Sequence, residues 1–366
     1  MFDAAASRFR PFEVVSKVRE SDTITSFRLA PVEPQHWRSF EPGQFLTIRV
    51  PGRKGGHVLR NYTVSSSPRE EGTYRITVKR EAAPSPGVPE GLSSCWLHDQ
   101  IEPGALVEID PPRGAFKLDS ASSRPVVLLS GGVGLTPTVS MLDVLARESD
   151  RRVWFIHACD SAAVHALRAE VEDLAALRTG ITLHFCYRQA ASSDLEAPLC
   201  HSTGFLTRAT LQGLLPLDDY DIYMCGPPPF MRALYSILID LGVRKERIAY
   251  EFFGPASLLS ETGQTTARRA VTRTAEPTTG GDGLHVVLQK SGQSLTWDSG
   301  SESILAFLEA EGIEPEFSCR AGVCGTCEQG LVSGEVDYFE EPLDEVPADR
   351  VLLCCTRPKS SIVLDL

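Results

Sequence analysis

The sequence predicts a multidomain fold with three parts in chain order: an antiparallel β-barrel, an α/β domain with a parallel sheet, and a small acidic module. Short β-branched runs separated by proline and glycine fill residues 8–117, and buried-strand candidates alternate with helical stretches from Ser123 onwards. A segment rich in Thr, Gly and Arg, residues 261–283, then precedes a cysteine-containing C-terminal region. A chain of 366 residues is also too long for one ordinary hydrophobic core.

The composition is that of a soluble globular protein, with 42% hydrophobic and 23% charged residues. The first twenty residues contain no apolar run of the signal-peptide type, and no stretch approaches eighteen consecutive apolar residues. We therefore expect a cytoplasmic protein that does not interact with a membrane. In that reducing compartment, ten cysteines favour metal binding or catalysis over disulfide bonding.

The net charge of -12 is concentrated at the C-terminal end. Residues 284–366 hold 15 acidic and 5 basic side chains, whereas the preceding 283 residues hold 33 and 31. Nucleic-acid binding requires a basic face, so this distribution argues against a nucleic-acid partner. It also indicates that residues 284–366 form a separate acidic module, with residues 261–283 as a linker.

Residues 1–118 are predicted to form the barrel. Six β-branched or partly alternating runs lie at the spacing of an antiparallel barrel: FEVVSKVRE, ITSFRLA, QFLTIRV, RNYTVSS, YRITVKR and LVEIDPP. One of them continues as LRNYTVSSSP, in which Arg60 offers a cation for a phosphate, Tyr62 a ring for stacking and Thr63 a hydroxyl donor. The later stretch EGLSSC places a glycine before serines at a helix start, which favours a second phosphate cradle. Each motif taken alone is also compatible with an ordinary strand and turn.

Residues 119–260 are predicted to form the α/β domain. Its stretch RPVVLLSGGVGLTPTVSML, residues 124–142, is a strand, a glycine loop and a helix in the order that a phosphate site needs. We expect Gly131, Gly132 and Gly134 to let the backbone approach a pyrophosphate, and Thr136 to cap the helix with Pro137 in its first turn. The alternative is a plain strand–helix turn.

Two further strand ends of this domain carry polar or small residues. MCGPPPFM ends a strand at Cys225-Gly226, and the three prolines lead us to expect the next helix to begin near Phe230. WFIHACD ends at Asp160, whose carboxylate is suited to accept from a ribose 2′-hydroxyl and to repel a 2′-phosphate. Asp160 therefore favours NADH over NADPH, with a solvated loop aspartate as the alternative.

The C-terminal module is predicted to contain a hairpin at LHVVLQKSGQSLTW, a helix at SESILAFLEAEG and a terminal strand at SIVLDL. Between the helix and the final strand lies FSCRAGVCGTCEQG, with Cys319, Cys324 and Cys327 at the spacing C-x4-C-x2-C. A C-x-x-C pair alone would leave zinc binding, thioredoxin-type chemistry and an iron–sulfur cluster open. The longer pattern with a distant fourth cysteine, Cys354 or Cys355, matches a plant-type [2Fe–2S] cluster, and a structural zinc site is the alternative.

Together these motifs resemble the ferredoxin–NADP reductase superfamily. The motifs that match this superfamily, in its order, are R-x-Y-T-x-x-S at Arg60, Tyr62, Thr63 and Ser66, G-x-x-S at Gly91 and Ser94, GGVGLTP at Gly131–Pro137 and CGP at Cys225–Pro227. Within it the chain is most similar to the reductase half of flavohaemoglobins, through Phe12–Phe27, His165-Ala166, Asp240–Val243 and Tyr250–Pro255. Residues 261–366 resemble a plant-type ferredoxin. The implied fold is an FAD-binding β-barrel, an NAD-binding α/β domain and a β-grasp [2Fe–2S] ferredoxin domain.

The resemblance implies a role for each matching residue. The flavin would be held by Arg60, Asn61, Tyr62, Thr63, Ser66, Gly91, Ser93 and Ser94, with Arg60 and Ser94 at the pyrophosphate, Tyr62 stacked on the ring and Thr63 bonded to flavin N5. The NADH site would comprise Gly131, Gly132, Val133, Gly134, Leu135, Thr136, Asp160, Cys225, Gly226 and Pro227. The segment Glu251, Phe252, Phe253 and Gly254 would close over the flavin where the nicotinamide enters. Thr63, Cys225 and Glu251 would contact the reacting groups.

Three features of the chain have alternatives within this superfamily: residue 63, the flavin and the fourth cluster ligand. Thr63 departs from the more frequent serine but keeps the donor. FAD is expected rather than FMN, which related phthalate-dioxygenase-type reductases use. Cys354 is expected as the fourth cluster ligand, because the ligand of ferredoxins lies four residues before a proline and Pro358 stands at that position.

This module order is that of reductase components serving Rieske-type oxygenases, and also that of the reductase of hybrid-cluster protein. We therefore expect an NADH-dependent reductase that passes electrons through FAD and the cluster to a terminal oxygenase component. Hybrid-cluster protein or another acceptor is the first alternative. A non-catalytic redox sensor is the second, which the presence of a nicotinamide site disfavours.

Overall fold

The structure is a computed structural model that describes residues 9–52, 57–83, 90–197, 199–252, 271–273, 283–313, 315, 317, 322, 327–339, 342 and 346–366. The chain divides into two compact units, Met1–Tyr250 and Glu251–Leu366. Helices in the described part of the chain are all too short or too polar to cross a lipid bilayer.

The N-terminal part of the first unit is a six-stranded sheet with the order β4-β3-β6-β1-β2-β5 and antiparallel pairing. The strands are β1 Arg10–Arg19, β2 Ile24–Pro31, β3 Phe45–Pro51, β4 His57–Thr63, β5 Tyr74–Lys79 and β6 Leu106–Arg113, with helix α1 Leu92–Gln100 between β5 and β6. All six predicted runs are strands. Their inward side chains, among them Phe12, Phe27, Leu46 and Ile48, form one apolar core.

A second six-stranded sheet has the order β10-β9-β8-β7-β11-β12, and all of it except Glu251 and Phe252 of β12 belongs to the first unit. Its strands are β7 Val126–Gly131, β8 Val153–Cys159, β9 Ile181–Tyr187, β10 Ser202–Thr203, β11 Asp221–Gly226 and β12 Ile248–Phe252. The pairs from β10 through β11 are parallel, as predicted. Successive strands from β7 to β10 add on one side and β11 adds on the other, so the chain order reverses between β7 and β11.

Five helices connect these strands: α2 Leu135–Glu148, α3 Arg168–Ala176, α4 Ser192–Glu196, α5 Arg208–Leu214 and α6 Pro228–Asp240. Helix α2 is buried at 11 of its 14 positions. It packs against the parallel sheet and also contacts the barrel, where the Ser140 hydroxyl donates to the Ser66 carbonyl. Because the helix is covered on both sides, small polar residues such as Thr138 and Ser140 are buried along it together with the apolar ones.

The second unit contains strands β13 Val271–Arg273, β14 His285–Leu288 and β15 Ser294–Thr296, helix α7 Ile304–Ala310, and strands β16 Glu328–Tyr338, β17 Arg350–Leu352, β18 Thr356–Pro358 and β19 Ile362–Leu364. The long strand β16 pairs with β13, β17, β18 and β19. The predicted hairpin, helix and final strand are present. Ser303 caps α7 by accepting from the Ala306 amide.

The predicted linker, residues 261–283, is not wholly irregular. Val271–Arg273 lies within it and pairs antiparallel with Val336–Gly334 of β16. The Thr- and Arg-rich composition suggested a linker, but the β-branched residues Val271 and Thr272 favour a short strand. The boundaries 118/119 and 260/261 remain predictions.

Candidate functional site

The β4 segment Arg60–Thr63 begins the candidate flavin site. Successive strand side chains point to opposite faces, so Arg60 and Tyr62 share one face while Asn61 and Thr63 share the other. Arg60 is exposed, Tyr62 is half-buried and Thr63 is buried. The Asn61 side-chain oxygen accepts from the Thr47 hydroxyl at 2.9 Å, which fixes it on the neighbouring strand.

Tyr62 connects this strand to helix α1. Its hydroxyl lies 2.6 Å from Ser93 Oγ. Burial raises the pKa of Tyr62 to about 12, and the Ser93 hydrogen bond only partly opposes that rise. The phenol therefore stays protonated at neutral pH. The structure thus brings together two motifs, RNYT and GLSS, that are about thirty residues apart in the sequence.

The start of α1 is tightly constrained by Gly91. A Cβ at Gly91 would lie 2.5 Å from Ser94 Oγ and 2.8 Å from Glu81 Cβ, so only glycine fits. The Ser94 hydroxyl accepts from the Glu81 amide at 3.2 Å. Behind Gly91, the first amides of the helix have no acceptor within the helix, and they combine with the helix dipole to favour an anion.

A cavity of about 500 Å³ opens beside this helix start. It is lined by Pro51, Gly52, Glu90, Gly91, Leu92, Cys95, Trp96, Asp99 and Gln100. The exposed guanidinium on β4, the protonated phenol bonded to Ser93 and the glycine-initiated helix are donor groups that fit a flavin with its phosphates. Arg60 and Tyr62 do not line the cavity, whose lining includes the carboxylates of Glu90 and Asp99. Ser66, in contrast, is fully buried, and its hydroxyl accepts from the Arg75 amide at 3.2 Å, so its flavin role remains a prediction.

The candidate nucleotide site lies at the carboxyl ends of β7 and β11, where the strand order reverses. Ligands of open parallel sheets bind in the crevice at such a switch point. Gly132 adopts φ +54°, and residues Gly132–Gly134 form a 3-10 turn before α2. A Cβ at Gly134 would lie 2.3 Å from the Cys225 carbonyl oxygen. The glycine loop therefore packs directly on the end of β11, as a dinucleotide crevice requires.

Two local predictions are wrong here. Helix α2 begins at Leu135 with Gly134 as its N-cap, so Thr136 does not cap it and instead donates its hydroxyl to the Val133 carbonyl at 3.1 Å. Helix α6 begins at Pro228 rather than near Phe230, because proline has a suitable φ for the first helical turn and needs no amide donor there. Pro137 lies in the first turn of α2, as expected.

Asp160 follows β8 and accepts from the Arg188 guanidinium at 2.8 Å. Both side chains are about half exposed. Arg188 was not among the predicted residues, although its position directly after β9 puts it at the same sheet edge. The sheet edge that would hold the ribose thus presents the Asp160 carboxylate paired with the Arg188 guanidinium.

Two buried histidines lie behind the glycine loop, and neither was predicted to be a site residue. His157 Nδ1 lies 2.9 Å from Ser130 Oγ, and His165 Nδ1 lies 2.8 Å from the Tyr187 hydroxyl. Their rings are 4.5 Å apart. Burial lowers the pKa of His157 to about 3 and that of His165 to about 2, so both are neutral at pH 7.

The remaining predicted nucleotide residues are only partly described. Cys225 is fully buried at the end of β11, and Glu251 is 4% exposed at the end of β12. The side chain of Phe252 and all of Phe253 and Gly254 lie outside the described residues.

The candidate cluster site lies in the second unit. Cys327 and Cys354 are both buried, and the Gly322 amide lies 3.3 Å from Cys354 Sγ, within donating distance. Gly322 has φ +68°, and a Cβ there would lie 3.0 Å from Cys355 Sγ. Two buried thiols, one of them beside a backbone amide donor, fit a cluster, whose potential such N–H···S bonds tune. Cys319 and Cys324 lie outside the described residues.

Three family models match the chain in succession. They are an oxidoreductase FAD-binding domain over residues 11–118, an oxidoreductase NAD-binding domain over 128–235 and a 2Fe-2S iron-sulfur cluster binding domain over 286–359. The predicted fold class and the three cofactors, FAD, NADH and a [2Fe–2S] cluster, are thereby confirmed.

Known proteins match the same parts. The chain is 40% identical to the flavohemoprotein of Bacillus thuringiensis subsp. konkukian over 268 residues, covering 71% of this chain and 66% of that protein. The FAD/NAD-binding domain of nitric oxide dioxygenase from Vibrio cholerae is 35% identical with a TM-score of 0.59, over 67% of this chain and 99% of that one. Phthalate dioxygenase reductase is 24% identical with a TM-score of 0.63, over 98% of both chains.

Proposed function

We propose that this chain delivers electrons from NADH to the oxygenase component of a Rieske-type monooxygenase or demethylase system. The chain belongs to the FAD- and NAD-binding oxidoreductases of the ferredoxin–NADP reductase superfamily and carries a [2Fe–2S] module. The observation that carries the proposal is the module order. Phthalate dioxygenase reductase, described as transferring electrons from pyridine nucleotides to [2Fe-2S], shares that order over 98% of both chains.

Each module has a defined task in this proposal. When bound, FAD supplies the conversion between a two-electron hydride donor and a one-electron acceptor. Arg60 and the start of α1 would hold its phosphates, and Thr63 would direct a hydroxyl towards the ring. The glycine loop Gly131–Gly134 and the end of β11 would hold the nucleotide so that Cys225 and Glu251 lie near the nicotinamide.

The cluster would be held by Cys319, Cys324, Cys327 and Cys354. Plant-type clusters have potentials near roughly -400 mV and Rieske centres about -150 to +300 mV, so transfer to a Rieske oxygenase would run downhill. The excess of 15 acidic over 5 basic residues in 284–366 would steer the module to a basic patch on its acceptor.

The proposal is tested by reconstitution. The purified chain is mixed with NADH and each of a panel of Rieske oxygenase components, with hybrid-cluster protein as a competing acceptor, and NADH consumption is compared with product formed. Coupled turnover with at least one oxygenase supports the proposal. Efficient reduction of hybrid-cluster protein alone would favour the alternative acceptor, and lack of any NADH oxidation would favour a sensor.

The coenzyme preference has its own test, because Asp160 is paired with Arg188. In D160N the acid no longer repels a 2′-phosphate while Arg188 remains to attract one. We expect D160N to raise kcat/KM for NADPH relative to NADH, with the matched variant D240N, at an exposed acid far along the chain on α6, leaving the ratio unchanged. An unchanged ratio in D160N would remove Asp160 from the coenzyme site.

A further inference from the structure

A charged pair joins the barrel to the nucleotide-binding layer within the first unit. Arg75 of β5 donates through two nitrogens to the two carboxylate oxygens of Glu170 on α3, at 2.6 and 2.8 Å. The side chains are 11% and 34% exposed. A bidentate guanidinium–carboxylate pair is geometrically specific, and this one is shielded from solvent more than the Arg69–Glu148 pair between the same layers.

The same guanidinium holds the segment that follows the flavin motif. Arg75 Nε donates to the Ser65 hydroxyl at 3.2 Å and Nη2 to the Ser65 carbonyl. The Arg75 amide donates to the Ser66 hydroxyl, and the Ser65 amide donates back to the Arg75 carbonyl at 2.8 Å. The chain immediately after Thr63 is therefore fixed by one arginine through both its backbone and its side chain.

Helix α2 holds this segment from the other side. Ser140 donates to the Ser66 carbonyl at 2.9 Å, and the Ser67 hydroxyl donates to Asp143. Helix α2 starts at the glycine loop of the candidate nucleotide site. Residues 65–67 therefore form a joint that is attached on one side to the flavin strand and on the other to α2 and α3 of the nucleotide layer.

We propose that Arg75 and Glu170 are positioning residues that set the geometry between the flavin strand β4 and the glycine loop, and so the alignment of nicotinamide with flavin. This inference rests on the proposed reductase function and deepens it. Neither side chain belongs to the flavin, nucleotide or cluster motifs. Because a displacement of about 1 Å between reacting groups can lower a rate by up to roughly 100-fold, a loosened joint should slow hydride transfer before it affects binding.

The test compares E170Q with a matched control in the full-length holoenzyme. Glutamine keeps the size of Glu170 but loses the charge and one acceptor. The control is E148Q, whose partner Arg69 also joins the barrel to α2 but with side chains 59% and 47% exposed. Anaerobic stopped-flow measures the rate constant of flavin bleaching at saturating NADH, and hydrogen–deuterium exchange measures protection of the peptide containing residues 63–67.

We expect E170Q to slow flavin bleaching by roughly tenfold or more, with little change in the NADH concentration for half-saturation, an unchanged FAD content and faster exchange at residues 63–67. E148Q should behave as wild type. The proposal is overturned if E170Q retains the wild-type rate, or if it only lowers FAD content or melting temperature while the FAD-saturated enzyme keeps that rate.

Two further outcomes are separable. If E170Q does not fold, E170D, which keeps the charge on a shorter side chain, is measured in the same way, and a wild-type rate there together with wild-type exchange overturns the proposal. If NADH does not reduce the wild-type enzyme, the proposed function has failed. In that case, unchanged hydrogen–deuterium exchange at residues 63–67 in E170Q would also show that Glu170 does not hold residues 65–67 in place.

Discussion

Cys354 is the cysteine on which the cluster assignment depends at the residue scale. Its sulfur lies within donating distance of the Gly322 amide, whereas the neighbouring Cys355 thiol is directed to the Leu352 carbonyl at 3.7 Å. We expect C354S to abolish cluster-dependent cytochrome c reduction while NADH–ferricyanide activity continues. C355S is the matched control and should keep both activities. Loss of cytochrome c reduction in C355S but not in C354S would show that Cys355, and not Cys354, is the fourth cluster ligand.

The buried histidines make stability depend on pH. Their pKa values are lowered by burial, to about 3 for His157 and about 2 for His165, so the unfolded chain binds more protons than the folded one below about pH 6.5. The contribution of these histidines to the free energy of unfolding is therefore complete above that pH. It falls as pH decreases, by about 1.4 kcal/mol per histidine per pH unit.

This prediction is checked by measuring the free energy of urea unfolding of the α/β domain at pH 7.5 and at pH 5.5. The double variant H157Q/H165Q should lose less stability than wild type between the two pH values, whatever its stability at pH 7.5. The two proteins are compared by their change in the free energy of unfolding between pH 7.5 and 5.5, because glutamine itself also perturbs the packing. Equal changes in the two proteins would show that these histidines are not neutral in the folded protein.

The sequence was a better guide to chemistry-bearing residues than to their partners. The Gly91 and Gly134 positions were identifiable because glycine in those motifs signals close backbone approach, and the structure shows the approach. Arg188, His157 and Arg75 were missed, because each acts through a neighbour that is close only after folding. Thr136 was misassigned as a cap because a helix starting two residues earlier satisfies the same sequence pattern.

At the scale of elements, the strands that were predicted are those with a marked apolar pattern, and β12, β16, β17 and β18 were not predicted. The six barrel strands and β7, β8, β9 and β11 carry alternating or continuous apolar runs. Strand β10 has only two residues, and β13 lies in a Thr- and Arg-rich stretch, so neither has a periodic signal. Strand order also had no local signal, although the reversal between β7 and β11 is what locates the nucleotide site.

The junction of β7, β11 and α2 gives a prediction of its own. In G134A the new methyl would meet the Cys225 carbonyl oxygen at 2.3 Å, and backbone atoms must move. We expect a loss of about 1–3 kcal/mol in the free energy of unfolding and a raised KM for NADH, with FAD content unchanged.

The control is G213A on α5, where a Cβ would meet nothing within 4 Å. Replacing a helical glycine by alanine should stabilise by roughly 0.5–1 kcal/mol and leave KM unchanged. Steady-state kinetics and thermal unfolding measure both variants. If G134A binds NADH as wild type does, the glycine loop is only a tight turn.

At the scale of the whole molecule, charge is unevenly divided between the modules. We expect reduction of a basic acceptor such as cytochrome c to slow as ionic strength rises, because screening weakens steering by the acidic module. The triple variant E302Q/E311Q/D349N removes three exposed acids of the second unit and should lower this salt dependence. The control E71Q/E196Q/E246Q removes three exposed acids of the first unit and should not. Equal effects of the two triples would exclude docking through the second unit.

The most direct measurement of the central claim is anaerobic mixing of the purified holoenzyme with NADH, followed by absorbance of flavin and cluster. An electron-transfer chain from nicotinamide through FAD to [2Fe–2S] predicts that both absorbances bleach within the time of one catalytic turnover. It also predicts that in C354S only the flavin bleaches. If the cluster of the wild-type enzyme stays oxidised while the flavin is reduced, or if neither responds to NADH on that timescale, the account is contradicted.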